Sequence, residues 1–207
     1  MTHKVGSLGR NFLEGTSVSD SLYGDSSGTR TSGTTGGDSI HGYNGADYLY
    51  GDARNLRLTA RGGSDTIWAG FDGDTVYGDS YTMSYSSIGG SDRIWGESGY
   101  DKLYGDTRTM SRSARGGSDK LYGDNDSDSL YGDAYSMTGS AVGGADLLYG
   151  GNDDDRLYGD AFTLKGGARG GSDTLSGDSG RDTLYGDARS LIHSAIGGHD
   201  TLKGGGS

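Results

Sequence analysis

Aspartate recurs along this chain at a fixed interval of 27 residues, in three separate series. The first is Asp20, Asp47, Asp74, Asp101, Asp128, Asp155 and Asp182. The second is Asp25, Asp52, Asp79, Asp106, Asp133, Asp160 and Asp187. The third is Asp38, Asp65, Asp92, Asp119, Asp146, Asp173 and Asp200. Carboxylates could serve as acids and bases, but a catalytic constellation is single and convergent, and here every acidic group is repeated. His3, His41, His193 and His199 lie at unrelated repeat positions, and the serines form no triad with an identifiable base. No catalytic residue is assigned and no enzyme is expected. What remains for rows of carboxylates is cation binding. With no cysteine and only four histidines, zinc and copper are poor candidates.

The elements that must carry these rows follow from the same period. Tyr-Gly-Asp begins at Tyr23, Tyr50, Tyr77, Tyr104, Tyr131, Tyr158 and Tyr185 without insertion or deletion. Such a register predicts stacked units, each position above its equivalent in the previous turn. Two columns are aliphatic: Leu22, Leu49, Val76, Leu103, Leu130, Leu157, Leu184, and Ile40, Ile67, Ile94, Leu121, Leu148, Leu175, Leu202. Each stands two places after an aspartate, the spacing of a short strand with one side chain turned inward. Glycine precedes the second series throughout, and a Gly-Gly pair such as Gly62-Gly63 or Gly116-Gly117 precedes the third. These positions predict positive φ or a closely packed backbone.

Composition says that something beyond a hydrophobic core must order this chain, or nothing does, and it favours cations as partners. Only 30% of the 207 residues are hydrophobic and the net charge is −11, a balance that ordinarily leaves a chain disordered. The acidity disfavours nucleic acid and anionic membranes as partners. No apolar run approaches the roughly 20 residues of a membrane span, and the opening MTHKVGSLGRNFLEG has no apolar core of a Sec signal. Stacked strands would hold each row of carboxylates about 4.8 Å apart. Like charges at that distance repel by about 1 kcal/mol in water and several times more near a protein surface. Either the carboxylates are protonated, which at pH 7 demands large pKa shifts, or a cation lies between successive turns, for which calcium, taking oxygen ligands from carboxylates and carbonyls in flexible geometry, is the natural choice.

The segment Gly96 to Tyr104, GESGYDKLY, resembles the nonapeptide G-G-x-G-x-D-x-U-x of the RTX, or hemolysin-type, calcium-binding repeats. Gly177 to Tyr185 and Gly42 to Tyr50 are further copies, and Ala114 to Tyr122 carries the same register for the third series. The resemblance implies calcium-binding turns, each followed by a short strand, with the first and third aspartate series as ligands and several calcium ions per chain. It also implies export by a type I system into an extracellular medium rich in calcium. The second series is expected to bind calcium too, although the motif does not assign it. Three departures stand out. The fourth motif position is Asp72, Asp126 or Asp153 in some copies, which predicts an altered backbone or an added acidic ligand. The unit is 27 residues where the family coil has 18. The additional nine carry an apolar column, Leu56, Met83, Met110, Met137, Leu164 and Leu191, which predicts buried side chains in a third strand or in a loop folded back over one edge.

Tyr23 through Tyr185 follow the inward aliphatics and are expected to point outward as a ladder. A second outward column reads His41, Trp68, Trp95, Tyr122, Tyr149, Ser176, Lys203, and a third alternates Arg54, Tyr81, Arg108, Tyr135, Phe162, Arg189. Aromatic pairs of this kind stabilise sheets, and arginine over a ring adds cation–π attraction. The alternative use of these faces is docking of a glycan or a cell-surface partner, in an extracellular adhesin or spacer. An ice-binding array is a poor match, since Ser39, Thr66, Arg93, Lys120, Leu147, Thr174 and Thr201 are too mixed. The expected architecture is all-β, a right-handed parallel β-roll or β-helix of about seven turns. Residues 1–14 form an N-terminal cap or leader segment and residues 15–207 the calcium-binding solenoid. The chain stops at TLKGGGS partway through a repeat, without the family's secretion signal, as expected of a segment that normally continues.

Overall fold

Strands of three to six residues cannot stand alone in water, so this sequence can be ordered only by stacking its repeats. In the computed structural model, which describes residues 2–206, it forms 23 short strands in three parallel sheets, with no helix among the described residues. One coil runs through all three. Tyr48–Tyr50 belongs to an eight-stranded sheet, Ala53–Leu56 to a seven-stranded sheet and Thr66–Phe71 to a second eight-stranded sheet, after which Thr75–Tyr77 returns to the first. We call these the Tyr, Met and Trp sheets. The 27-residue register is kept throughout their interiors: Leu103 pairs with Leu130, Met110 with Met137 and Ile94 with Leu121. The result is a parallel β-solenoid of about seven turns.

The additional nine residues thus contain a third strand, and the leg after it folds back toward the solenoid through single parallel bridges from Arg61 to Ile88 to Arg115 to Val142. This out-and-back path splits the interior in two. The Leu column of the Tyr sheet and the Ile/Leu column of the Trp sheet form one core, fully buried from Leu22 to Leu157 and from Ile40 to Leu175, whereas Leu184 in the last coil is partly buried and Leu202, in the edge strand of the Trp sheet, is 46% exposed. Leu56, Met83, Met110, Met137 and Leu164 form another with the alanines of the Met sheet and of the returning leg, such as Ala60, Ala114 and Ala141. Leu191, in the last strand of the Met sheet, is 48% exposed.

The tyrosine ladder departs from the outward reading. Tyr23, Tyr50, Tyr77, Tyr104, Tyr131 and Tyr158 turn away from the aliphatic core yet are 3–8% exposed, in a third apolar cluster. Together with the partly buried Tyr185 they stack at 4.4–5.2 Å with ring planes within 21° of parallel. The neighbouring column covers them: Tyr81, Tyr135 and Phe162 pack edge-on against the ladder. Arg108 lies over both Tyr81 and Tyr135, and Arg189 over Phe162. The expected cation–π alternation is therefore the lid of a buried stack. The column His41, Trp68, Trp95, Tyr122, Tyr149 stacks face to face at 4.3–5.3 Å on the Trp sheet, half-buried.

Candidate metal centres

The first aspartate series occupies the corner where a Trp-sheet strand turns into a Tyr-sheet strand. This turn needs left-handed backbone at two positions, of which the second is the fourth of the motif. Gly99 and Gly180 take it there, with φ of 136° and 139°, and so do Asp72, Asp126 and Asp153, with φ of 72–74°. Aspartate tolerates that region better than most residues, so the acidic copies keep the same kind of turn. Along the corner each aspartate is tied to the next coil. The N–H of Asp74 donates to Oδ1 of Asp101 at 2.7 Å, that of Asp101 to Asp128 at 2.8 Å and that of Asp128 to Asp155 at 2.8 Å. Oδ2 of Asp47, Asp74, Asp101, Asp128, Asp155 and Asp182 is buried without a hydrogen-bond partner.

The second and third series, 13 residues apart in sequence, are brought to one place by the out-and-back path of the Met sheet. Asp52, Asp79, Asp106 and Asp133 turn from the start of that excursion to its end, where the N–H of Gly63, Gly90, Gly117 and Gly144 donates to Oδ1 at 2.8–3.1 Å. The third series begins each Trp-sheet strand and repeats the inter-coil bond, Asp92 N–H to Asp119 Oδ1 at 2.7 Å and Asp119 N–H to Asp146 Oδ1 at 2.8 Å. Its other oxygen faces the glycine of the Tyr-Gly-Asp turn. A Cβ built on Gly105 would overlap both Oδ2 of Asp119 and the carbonyl oxygen of Gly132. That cradle is why glycine is required there, independent of φ. Oδ2 is again buried and unpartnered at Asp38, Asp65, Asp92, Asp119, Asp146 and Asp173, and at Asp79, Asp106, Asp133 and Asp160 of the second series, as is Oδ1 of Asp25. The two series form a neck of carboxylates between the two hydrophobic cores.

Among the described residues no ion pair reaches these rows: the one pair is Arg181 with Asp154 at 2.7 Å, exposed and outside all three series. Burial therefore pushes the carboxyls of the interior coils up. Asp101 rises to about 7, with the Asp126 and Glu97 charges adding to burial against the restraining Asp74 N–H. Asp119 rises to about 7, and Asp128 to about 9. Asp65, Asp79, Asp92, Asp106 and Asp146 stand well above the ordinary carboxylate range, from burial first and a facing carboxylate second. Asp20 alone in its series is lowered: burial raises it, but hydrogen bonds from Thr16 and Thr2 prevail.

An orphaned carboxylate oxygen is only half of a metal site, and the other half is backbone. No N–H among the described residues donates to the carbonyls of Gly51, Gly78, Gly105 and Gly132 in the Tyr-Gly-Asp turns, or of Gly36, Gly63, Gly90 and Gly117 beside the second series. Buried carbonyls are ordinarily paired, so rows of free carbonyls beside rows of free carboxylate oxygens form a donor set for a hard cation with flexible, oxygen-only coordination. Among the described residues no three acidic or imidazole side chains converge on one point. A cation here would be held by carboxylates of adjacent coils completed by glycine carbonyls. The residues present fit calcium. The sequence pointed to the aspartates; the paired use of the second and third series and the particular carbonyls depend on the path of the chain through space.

Against models of protein families, the chain matches the RTX calcium-binding nonapeptide repeat (4 copies) over residues 32–53, 57–80, 88–107, 113–134, 140–163 and 166–188, more than half of its length. Each matched segment contains one aspartate of each series. No curated protein matches the chain.

Proposed function

This chain belongs to the RTX calcium-binding nonapeptide repeat family, and we propose that it is a module that folds on calcium outside the cell, as part of a bacterial protein exported by a type I system. The observation that carries the proposal is the coincidence, coil after coil, of a buried unpartnered Asp oxygen with unpartnered glycine carbonyls. The ligands are the three aspartate series. Calcium supplies the positive charge that the buried rows lack.

Burying an isolated carboxylate costs several kcal/mol, and the rows contain many. The fold without cations is therefore penalised at neutral pH, and metal binding and folding become one equilibrium. In a low-calcium cytoplasm the chain stays extended, which suits export. In a medium near millimolar calcium it closes coil upon coil, so the ion reports the compartment and opposes return. The test is far-UV circular dichroism from chelated protein titrated with calcium, then with magnesium. A calcium-specific change from coil to β between micromolar and millimolar supports the reading; a β-rich spectrum in chelator, indifferent to calcium, sinks it.

The adhesive reading draws less support. The Trp-sheet rings spend their faces on one another, leaving mainly edges to solvent, whereas a sugar ring stacks on an aromatic face. Failure of the calcium-loaded chain to bind any member of a glycan array is the expected outcome.

A further inference from the structure

The first coil differs from those after it. Thr2 pairs with Asp20 and Lys4 with Leu22, an offset of 18, whereas Phe12 pairs with Ser39 at the usual 27. The nine-residue excursion is missing, and the Met sheet has no strand there. At both corners of this short coil, hydrogen-bond donors stand where later coils have unpartnered oxygens.

Asn11 holds the position of a third-series aspartate. Its N–H donates to Asp38 Oδ1 at 2.6 Å, as the N–H of Asp65 does to Asp92 at 2.7 Å. Its side chain differs in kind. Oδ1 accepts from the N–H and hydroxyl of Ser7 at 3.0 and 3.1 Å, which orients the amide. Nδ2 then points at the carbonyls of Ser7 and Gly9, both at 2.6 Å, and at the Gly24 carbonyl and Asp38 Oδ1, both at 3.1 Å. The Gly24 carbonyl belongs to the same Tyr-Gly-Asp column whose later members receive no donor. One nitrogen thus sits over four oxygens, the arrangement a cation would adopt.

At the other corner Asp20 is the one first-series aspartate whose Oδ2 is not orphaned. Thr16 donates to it twice, from N–H at 2.6 Å and from Oγ1 at 2.9 Å, and Thr2 N–H takes Oδ1 at 2.7 Å. The positions equivalent to Thr16 in later coils, Tyr43, Gly70, Glu97, Asp124, Gly151 and Asp178, all have φ between 62° and 118°. Thr16 does not adopt that left-handed backbone, and its N–H is turned toward the carboxylate.

We propose that the first coil is a metal-free cap, in which the Asn11 amide and the Thr16 N–H and hydroxyl hold the places that cations hold in the coils beyond, so that both cation ladders begin after it. This rests on the calcium reading above and limits it: Asp20 is then a hydrogen-bonded cap residue and not a ligand. The test counts calcium ions per chain by native mass spectrometry, with circular dichroism confirming folding. Asn11→Asp replaces the donor nitrogen by a carboxylate oxygen among three carbonyls. Thr16→Gly removes the hydroxyl and permits the left-handed turn. Each variant is expected to bind one more calcium ion than the wild-type chain. A wild-type chain that binds calcium, with an unchanged count in both folded variants, overturns the cap alone. A wild-type chain that binds none overturns the calcium reading and the cap with it. Nuclear magnetic resonance supplies a readout that needs no variant: the Asn11 side-chain amide of the calcium-loaded protein is expected to exchange slowly with solvent, and fast exchange overturns its place in the cap.

Discussion

Protons should substitute for calcium in closing this fold. The perturbation is removal of calcium by a chelator at two pH values, about 4.5 and about 7.5. In the folded chain Asp101 and Asp119 titrate at about 7 and Asp128 at about 9, mainly because they are buried, against 3.8 for an unshifted aspartate. Each unit corresponds to about 1.4 kcal/mol, so ionising Asp101 or Asp119 in the folded state costs roughly 4 kcal/mol more than in the open chain. Two or three such groups cancel the roughly 5–15 kcal/mol that holds a typical domain together, and the rows contain more. The folded pKa values lie above the unfolded one, so the folded state binds protons more tightly. The stability permitted by these groups is fully present below about pH 4 and is lost as pH rises through the folded values, from about 6 at Asp38 and Asp47 to about 9 at Asp128. Far-UV circular dichroism in chelator should show β structure near pH 4.5 and coil near pH 7.5, with calcium restoring β at the higher value. A chelated chain equally β-rich at both values would refute the reasoning, because it would mean that the rows tolerate ionisation without any cation.

Three substitutions probe separate parts of this account. Asp119→Asn removes one of the proposed calcium ligands from the middle of the third row, and the loss of a charge-assisted partner, about 1.5–3 kcal/mol, should raise the calcium midpoint of folding about tenfold or more. Gly105→Ala places a methyl against Asp119 Oδ2 and the Gly132 carbonyl; overpacking of this kind costs about 1–3 kcal/mol or more, and the calcium-loaded variant should melt earlier, with fewer ions bound. Ser87 stands alone as a hydroxyl in the column Ala60, Ala114, Ala141, Ala168, fully buried with Oγ unpartnered. Ser87→Ala should therefore stabilise the calcium-loaded chain by about 1 kcal/mol, read as a rise of a few degrees in Tm.

Much of this molecule is legible in the sequence because parallel stacking turns sequence period into spatial contact. Once the 27-residue register is seen, Leu103 must lie on Leu130 and Asp119 on Asp146, and the aspartate rows, the aliphatic core and the need for a cation follow from spacing and charge. Contacts across a single coil have no such rule. Whether Asp52 faces Asp65, whether the Met column starts a strand or a loop, and whether Tyr104 ends in solvent or under Arg108 and Tyr135 depend on how the chain turns at each corner, and several turns can satisfy one period. The first coil shows the limit most clearly. Asn11 and Thr16 lie outside the repeat pattern as letters, and only the fold, by dropping nine residues from that turn and closing it on Gly24 and Asp20, brings their donors to oxygens whose equivalents in later coils have no hydrogen-bond partner.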